Sequence, residues 1–433
     1  MTWAKAPTAW LRRRSTLPRD VIVLGLIAFC VAVGFGVLVP VLPVFARSFD
    51  ISHLQVGAVV SVFALMRLVA SPFCGGMIVR AGERAVLASG IFIVALSSGL
   101  AGISQSYLQL LVLRGVGGIG SAMFTVSAMT LLLGSVTPNI RGRAAGFYQG
   151  GFLLGSMAGP AVGGLLAAIS LTAPFFFYAG TLIVAGAVGL ALLRPRVGAG
   201  VDGSDAVVVP FRTVVRDPRF QAACASNLAQ GWTSQGVRST LVPVLVVEVL
   251  HRSAAWTGTA FACAAITQTI AIGPAGKFVD TVGRRPAMVG GGLLAAASIT
   301  AVSLAPNIGV LIAALCVYGV AAAFLGTAPA AAVGDAAGGR SGSAVAVFSM
   351  CADIGSIVGP LVAGLLVDRV SYPVAFGVGA LLLLGAALSA LRMPAPSRVQ
   401  AATSPSGGAA DVGVTGGAGS AGHEDPSVKE KQP

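Results

Sequence analysis

Charge is scarce in this sequence. Of its 433 residues only 10% are Asp, Glu, Lys or Arg, acidic residues number 15, and there are three histidines. A chain so poor in charge and 55% hydrophobic cannot bury its apolar surface in a water-soluble core, so an ordinary soluble globular fold is excluded and lipid must cover the excess. His53, His251 and His423 fall in predicted loops or the tail. Cys30, Cys74, Cys224, Cys263, Cys316 and Cys351 lie within apolar runs without any metal-ligand spacing. No metal site, no His-based catalytic site and no enzymatic activity are therefore expected, and the cysteines read as free, small, buried residues.

What the sequence does contain is long apolar runs, at a mean hydropathy of +0.88. A spanning helix needs about 20 largely uncharged residues. Twelve segments qualify, at roughly 20–44, 55–79, 85–104, 107–134, 142–169, 173–193, 220–248, 254–278, 286–305, 308–333, 342–368 and 372–392. The first follows Lys5, Arg12, Arg13, Arg14 and Arg19 and reads as a retained span rather than a cleaved signal peptide. With the N-terminus inside, 22 of the 28 Lys and Arg residues fall on the inner side and only Arg47, Arg252 and Arg369 on the outer. This is the positive-inside pattern. It predicts a multi-pass cell (inner) membrane protein with both termini cytoplasmic. It also accounts for the formal charge of +13 without nucleic acid.

The expected organisation is a basic cytoplasmic N-terminus at 1–19, a six-helix bundle at 20–193, a cytoplasmic linker at 194–219, a second six-helix bundle at 220–392 and a disordered cytoplasmic tail at 393–433. The two bundles repeat one another. A shift of 200 residues sets Gly36-Val37 on Gly236-Val237, Pro43 on Pro243, and Gly155, Gly159 and Pro160 on Gly355, Gly359 and Pro360. A shift of 201 sets Gly75, Gly82 and Arg84 on Gly276, Gly283 and Arg285. Such a duplication fits carriers whose halves rock about a central site. The fold class is thus an all-α membrane protein of twelve helices in two pseudo-symmetric six-helix bundles.

Charges inside spans are costly and mark function by default. Arg67, Arg114 and Arg238 are the intramembrane cations, and Asp353 is the one acid well inside a span. Counted from the assumed helix ends, Arg67 and Asp353 reach a depth of roughly 18 Å at ~1.5 Å per residue, near the midplane. Asp353 is a candidate proton-exchanging acid held by Arg67; a permanent structural ion pair is the competing reading. Asn227, Gln230, Ser234 and Arg238 recur at three- or four-residue spacing and share one helical face. With Gln268, the repeat partner of Arg67, they are expected to line a central cavity. Phe35, Phe124, Tyr148 and Tyr318 are candidates for its aromatic walls or for packing between helices. Three intramembrane cations against one deep acid favour a neutral, zwitterionic or anionic cargo over a purely cationic one.

These features resemble the major facilitator superfamily, and within it the twelve-helix drug–proton antiporters. In that family a gating motif, Gly-x-Leu-x-Asp-Arg-x-Gly-Arg-Arg or similar, follows the second helix and recurs after the eighth. Here the second copy has Gly276, Asp280, Gly283, Arg284 and Arg285; the first has Gly75, Arg80, Gly82 and Arg84, but Val79 replaces the acid. The resemblance implies that Asp280 latches the inner gate near Arg141 or Arg143 while the first latch is weakened, with Glu83 as a substitute or an ordinary loop charge. Gly146, Gly155, Gly159, Pro160 and Gly163 match the family's antiporter-type motif on the fifth helix, which implies export; close helix packing is the alternative. Arg114 opens a run resembling Arg-x-x-Gln-Gly-x-Gly, with Gly117 in place of Gln, a position the family links with proton transfer; a structural Arg is the alternative.

The reading that results is a secondary active carrier moving a small amphiphilic compound or metabolite by alternating access, by proton-coupled efflux. The alternatives are a proton-coupled importer or facilitator of an organic acid or sugar and, in another class, a non-transporting receptor or assembly factor. No Gly-x-x-x-x-Gly-Lys-Ser/Thr phosphate loop is present, which leaves an ion gradient, proton first, as the driving force. No cofactor is expected, and the expected partners are a small-molecule substrate, protons and the bilayer, with the chain acting as a monomer.

Overall fold

In lipid every backbone polar group must be satisfied internally, and a helix does this within one segment. The computed structural model describes residues 17–137, 140–193, 211–336 and 342–394; the first 16 residues, most of the expected linker and the tail from 395 lie outside them. Among the described residues the fold is helical throughout, without strands.

The first half comprises α1 (Arg19–Leu38), α2 (Leu42–Arg47), α3 (His53–Ala81), α4 (Glu83–Ala101), α5 (Tyr107–Gly134), α6 (Arg141–Ile169) and α7 (Ala173–Leu192). The second comprises α8 (Phe211–Arg216), α9 (Pro218–Gly231), a π-helical stretch (Trp232–Leu241), α10 (Val242–Glu248), α11 (Ala254–Thr281), α12 (Arg284–Ser303), α13 (Ile308–Ala336), α14 (Gly342–Arg369) and α15 (Tyr372–Ala390). Eleven helices among these residues are long and apolar enough to cross a membrane unaided. The twelfth span is α9, the π stretch and α10 in succession, where Asn227, Gln230, Ser234, Gln235 and Arg238 lower the hydropathy.

Two expected spans are therefore not single helices. The first breaks after Leu38 and resumes as α2 because Pro40 cannot donate the hydrogen bond that would continue the turn. The seventh changes winding at Trp232 and returns to α at Val242. The repeat holds here as well: Pro43 and Pro243 each occupy the second position of the short helix that ends the span. The helices α3 and α11 stop at Gly82 (φ +80°) and Gly283 (φ +117°), where a side chain would be strained.

Small residues set the packing inside each half. A methyl group on Gly155, Gly159 or Gly163 of α6 would collide with the backbone of α1 at Phe29, Gly36 and Val37. Gly355 and Gly359 of α14 stand in the same relation to Leu228 of α9 and Trp232 of the π stretch. The glycines of the antiporter-type motif thus close-pack the fifth span against the first, and their repeats do so for the eleventh and seventh. Gly146, the motif's first member, meets nothing.

The halves meet along α3 against α14 and α6 against α11. At one end these pairs touch backbone to backbone: Gly57 against the Pro360 carbonyl, Gly364 against His53, and Gly258 against Gly164 and the Pro160 carbonyl. At the other end the same helices face open space, with nothing near Gly75, Gly76, Gly146, Gly150, Gly273 or Gly276. Phe73 of α3 is 69% exposed there.

Candidate functional site: a central cavity closed at one end

Two adjoining chambers lie between the halves. One, of about 450 Å³, is walled by apolar side chains of the first half, among them Phe35, Phe63, Phe124, Tyr148 and Phe152, and reaches Arg67 and Arg114. The other, of about 400 Å³, is lined by Asn227, Gln230, Ser234, Arg238 and Gln268. Phe35, Val39, Ser156, Gln235, Ser239 and Ser356 border both, so the chambers form one continuous site of a size suited to a small molecule.

The four polar residues expected on one face, Asn227, Gln230, Ser234 and Arg238, line the second chamber together with Gln268 of α11. Gln235 and Ser239 join them because the π winding widens that face. A 3.6-residue period misses both. The Thr240 hydroxyl donates to the Gln235 carbonyl five residues earlier (2.6 Å), in step with that winding. Tyr318 is a correction: it lines neither chamber but is buried behind the second, its hydroxyl donating to Gln230 Oε1 at 3.3 Å.

Arg67 and Asp353 are brought together across the two halves, Nη2 to Oδ1 at 2.8 Å, each partly exposed; Arg67 lines the first chamber, whereas Asp353 lines neither. Arg114 is 4% exposed, with its guanidinium 4.4 Å above the Phe63 ring. Arg238 sits 5.5 Å from the Phe261 ring and 5.9 Å from that of Tyr318. Neither makes a hydrogen bond or ion pair with the described residues, and the Nε atom of each is buried without a partner.

The closed end carries a cluster that the sequence reading passed over. Arg47 of α2 pairs with Glu248 of α10, Nε to Oε1 at 2.7 Å, and its Nη1 donates to the Ile51 carbonyl. His53, at the start of α3, places Nδ1 2.7 Å from Asp368 of α14 and Nε2 3.0 Å from Glu248. To donate to both carboxylates the ring must carry both protons. The backbone N–H groups of His53 and Leu54 also donate to Asp368 (2.9 and 2.8 Å), so a carboxylate of one half satisfies the helix N-terminus of the other. The Tyr372 hydroxyl donates to Glu248 at 2.8 Å. One signal was available: Arg47 and Glu248 lie 201 residues apart, the repeat interval.

The open end holds both copies of the gating motif. Val79 is 88% exposed; Asp280 is exposed and enters no ion pair among the described residues. Arg284 pairs with Asp335 inside the second half at 2.9 Å, with its N–H poorly aimed. Arg143 is exposed, and the Arg141 side chain lies outside the described residues. Of the motif glycines, Gly75 and Gly276 have no neighbour within 4 Å of where a side chain would begin, while Gly82 and Gly283 make the turns. Glu83 is buried in the first turn of α4, where the helix N-terminus favours an acid.

Two pseudo-symmetric bundles around a cavity that is apolar on one side and polar on the other, sealed at one end, define a membrane carrier. The chain belongs to the Major Facilitator Superfamily, whose family model matches residues 24–251 and 228–415. It is 27% identical over 329 residues to the synaptic vesicular amine transporter of Bos taurus, covering 74% of this chain and 62% of that protein. It is 30% identical over 167 residues to multidrug resistance protein 1 of Bacillus subtilis (strain 168), covering 38% of this chain and 43% of that one. The chain thus matches less than two thirds of the length of these relatives. Its fold is also that of a nucleoside transporter, NupG, with a TM-score of 0.69 at 14% identity over 86% of this chain and 99% of that structure. These relatives are transporters, not enzymes.

Proposed function

We propose that the protein exports a small amphiphilic compound from the cytoplasm in exchange for protons. The distribution of Lys and Arg supports cytoplasmic termini in an inner membrane; in that orientation the closed end faces out and the cavity opens inward. The observation that carries the reading is the Arg67–Asp353 pair, which bridges the halves at the rim of the cavity. An acid held ionised by a cation across a moving interface takes up a proton when the interface opens and the pair separates. That couples proton entry to the swing of the halves. The antiporter-type glycines of α6 and the resemblance to a multidrug resistance protein support export.

The test is transport in inverted membrane vesicles with an imposed pH gradient. Wild-type vesicles should accumulate substrate and lose it when an uncoupler is added. Asp353→Asn should abolish gradient-driven accumulation while leaving downhill exchange. Gradient-driven accumulation by Asp353→Asn vesicles at the wild-type level would exclude proton coupling through this pair.

A further inference from the structure

We infer that the cargo is an acidic amphiphile, whose anionic head is held by Arg238 in the second chamber and whose apolar body lies in the first; this rests on the cavity being the transport site. The described residues lining the two chambers include Arg67, Arg114 and Arg238 and no Asp or Glu. Arg67 is neutralised by Asp353. The other two guanidinium groups are left without a carboxylate.

Aromatic rings hold the planes of both: Phe63 lies under Arg114, and Phe261 and Tyr318 flank Arg238. Stacking satisfies the faces of a guanidinium but not its N–H edge, which is the part that grips an oxyanion. Both Nε–H groups are buried and unpartnered. A cation whose N–H edge is buried and uncompensated is costly, and an anionic ligand removes that cost whereas a cationic one adds to it.

The surroundings assign the head to Arg238 rather than Arg114. Around Arg238 stand Gln230, Ser234 and Gln268, all able to donate. The Gln230 side-chain carbonyl already accepts from Tyr318, which leaves its NH₂ group to donate. Around Arg114 the walls are Phe35, Phe63, Phe124 and Phe152, suited to a ring system or alkyl chain. Arg114 beneath them gives the body site its own positive field, which further disfavours an amine.

The experiment compares three probes of one shape and different charge, 1-pyrenebutyrate, its primary amide and 1-pyrenebutylamine, binding to the purified full chain in phosphatidylcholine nanodiscs. The carboxylate should bind roughly tenfold or more tighter than the amide, as a charge-assisted hydrogen bond implies, and the amine weakest. Arg238→Gln should bring carboxylate and amide to equal affinity with both still bound, and Arg238→Lys should restore part of the preference. Amine binding as tight as carboxylate binding, an unchanged preference in Arg238→Gln, or no binding of any probe would each overturn the inference. Adding phosphatidylglycerol to the discs separates two sources of the same chemistry. Competition identifies a membrane anion as the occupant, and its absence an acid entering from the aqueous side. Binding needs no gradient, so Asp353→Asn protein that keeps the carboxylate preference yet transports normally would sink the antiport reading alone.

Discussion

The two ends of the interface between the halves are built from one repeated pattern and used differently. At the closed end Gly57, Gly164, Gly258 and Gly364 touch the opposing backbone, and Arg47, His53, Glu248, Asp368 and Tyr372 join across the seam. At the open end Gly75, Gly146 and Gly276 touch nothing, and the charged residues of the gating motifs form no bond across the seam among the described residues. Small residues permit approach at both ends, so packing does not by itself choose which end is shut. The ion pairs do.

The largest effect is expected from filling a closed-end contact. Gly57→Val would drive methyl groups into the Pro360 carbonyl, so the outer end should open and transport fall more than tenfold. Spin labels at Asp50→Cys and Arg252→Cys, in a background freed of native cysteines, should report a longer distance. Gly276→Val, which meets nothing in this conformation, should leave that distance unchanged; equal distances in both variants would dissolve the contrast between the ends.

Next comes Glu248→Gln, which weakens the bonds to both Arg47 and His53. Losing charge-assisted hydrogen bonds of about 1.5–3 kcal/mol should shift the ratio of closed to open outer ends by about tenfold or more, read from the same label pair. The pH dependence should be smaller. Both ring N–H groups of His53 are needed to bridge Asp368 and Glu248, so protonation favours the closed outer end. The closed population should be largest at acid pH and fall as pH rises through histidine's titration range. His53→Gln should flatten that profile, and a profile that keeps its slope would remove His53 from the latch.

The smallest effect concerns the open end. Val79→Asp restores the acid that the first gating motif lacks. An exposed pair is worth about 0–1 kcal/mol, so the inner end should close only a few-fold more often. Accessibility of a cysteine placed at Met77 to a membrane-impermeant maleimide, in the same background, measures it.

Most of the fold was legible because lipid imposes a simple rule on sequence: apolar length gives spans, and the 200-residue interval gives the two halves. What escaped was winding. Pro40 ends α1 early, and the polar stretch from Trp232 to Leu241 coils as a π-helix, a choice no hydrophobic period encodes. The site was legible where charge is expensive, as with Arg67, Asp353, Arg114 and Arg238. It was hidden where charge is cheap. His53 and Arg47 read as loop residues near water, and only the folded interface sets them opposite Glu248 and Asp368. Tyr318 went wrong because a helical position says which residues share a face but not whether a ring lies in front of that face or behind it.

A gate that must close and reopen in every cycle would waste free energy if each closure froze long side chains. Here several close contacts between α3 and α14 and between α6 and α11 are glycine against backbone, groups that have no rotamers to lose. At these glycine contacts closure orders no side chain on the glycine side. Its equilibrium is then open to charge and pH, acting through Arg47, His53, Glu248 and Asp368.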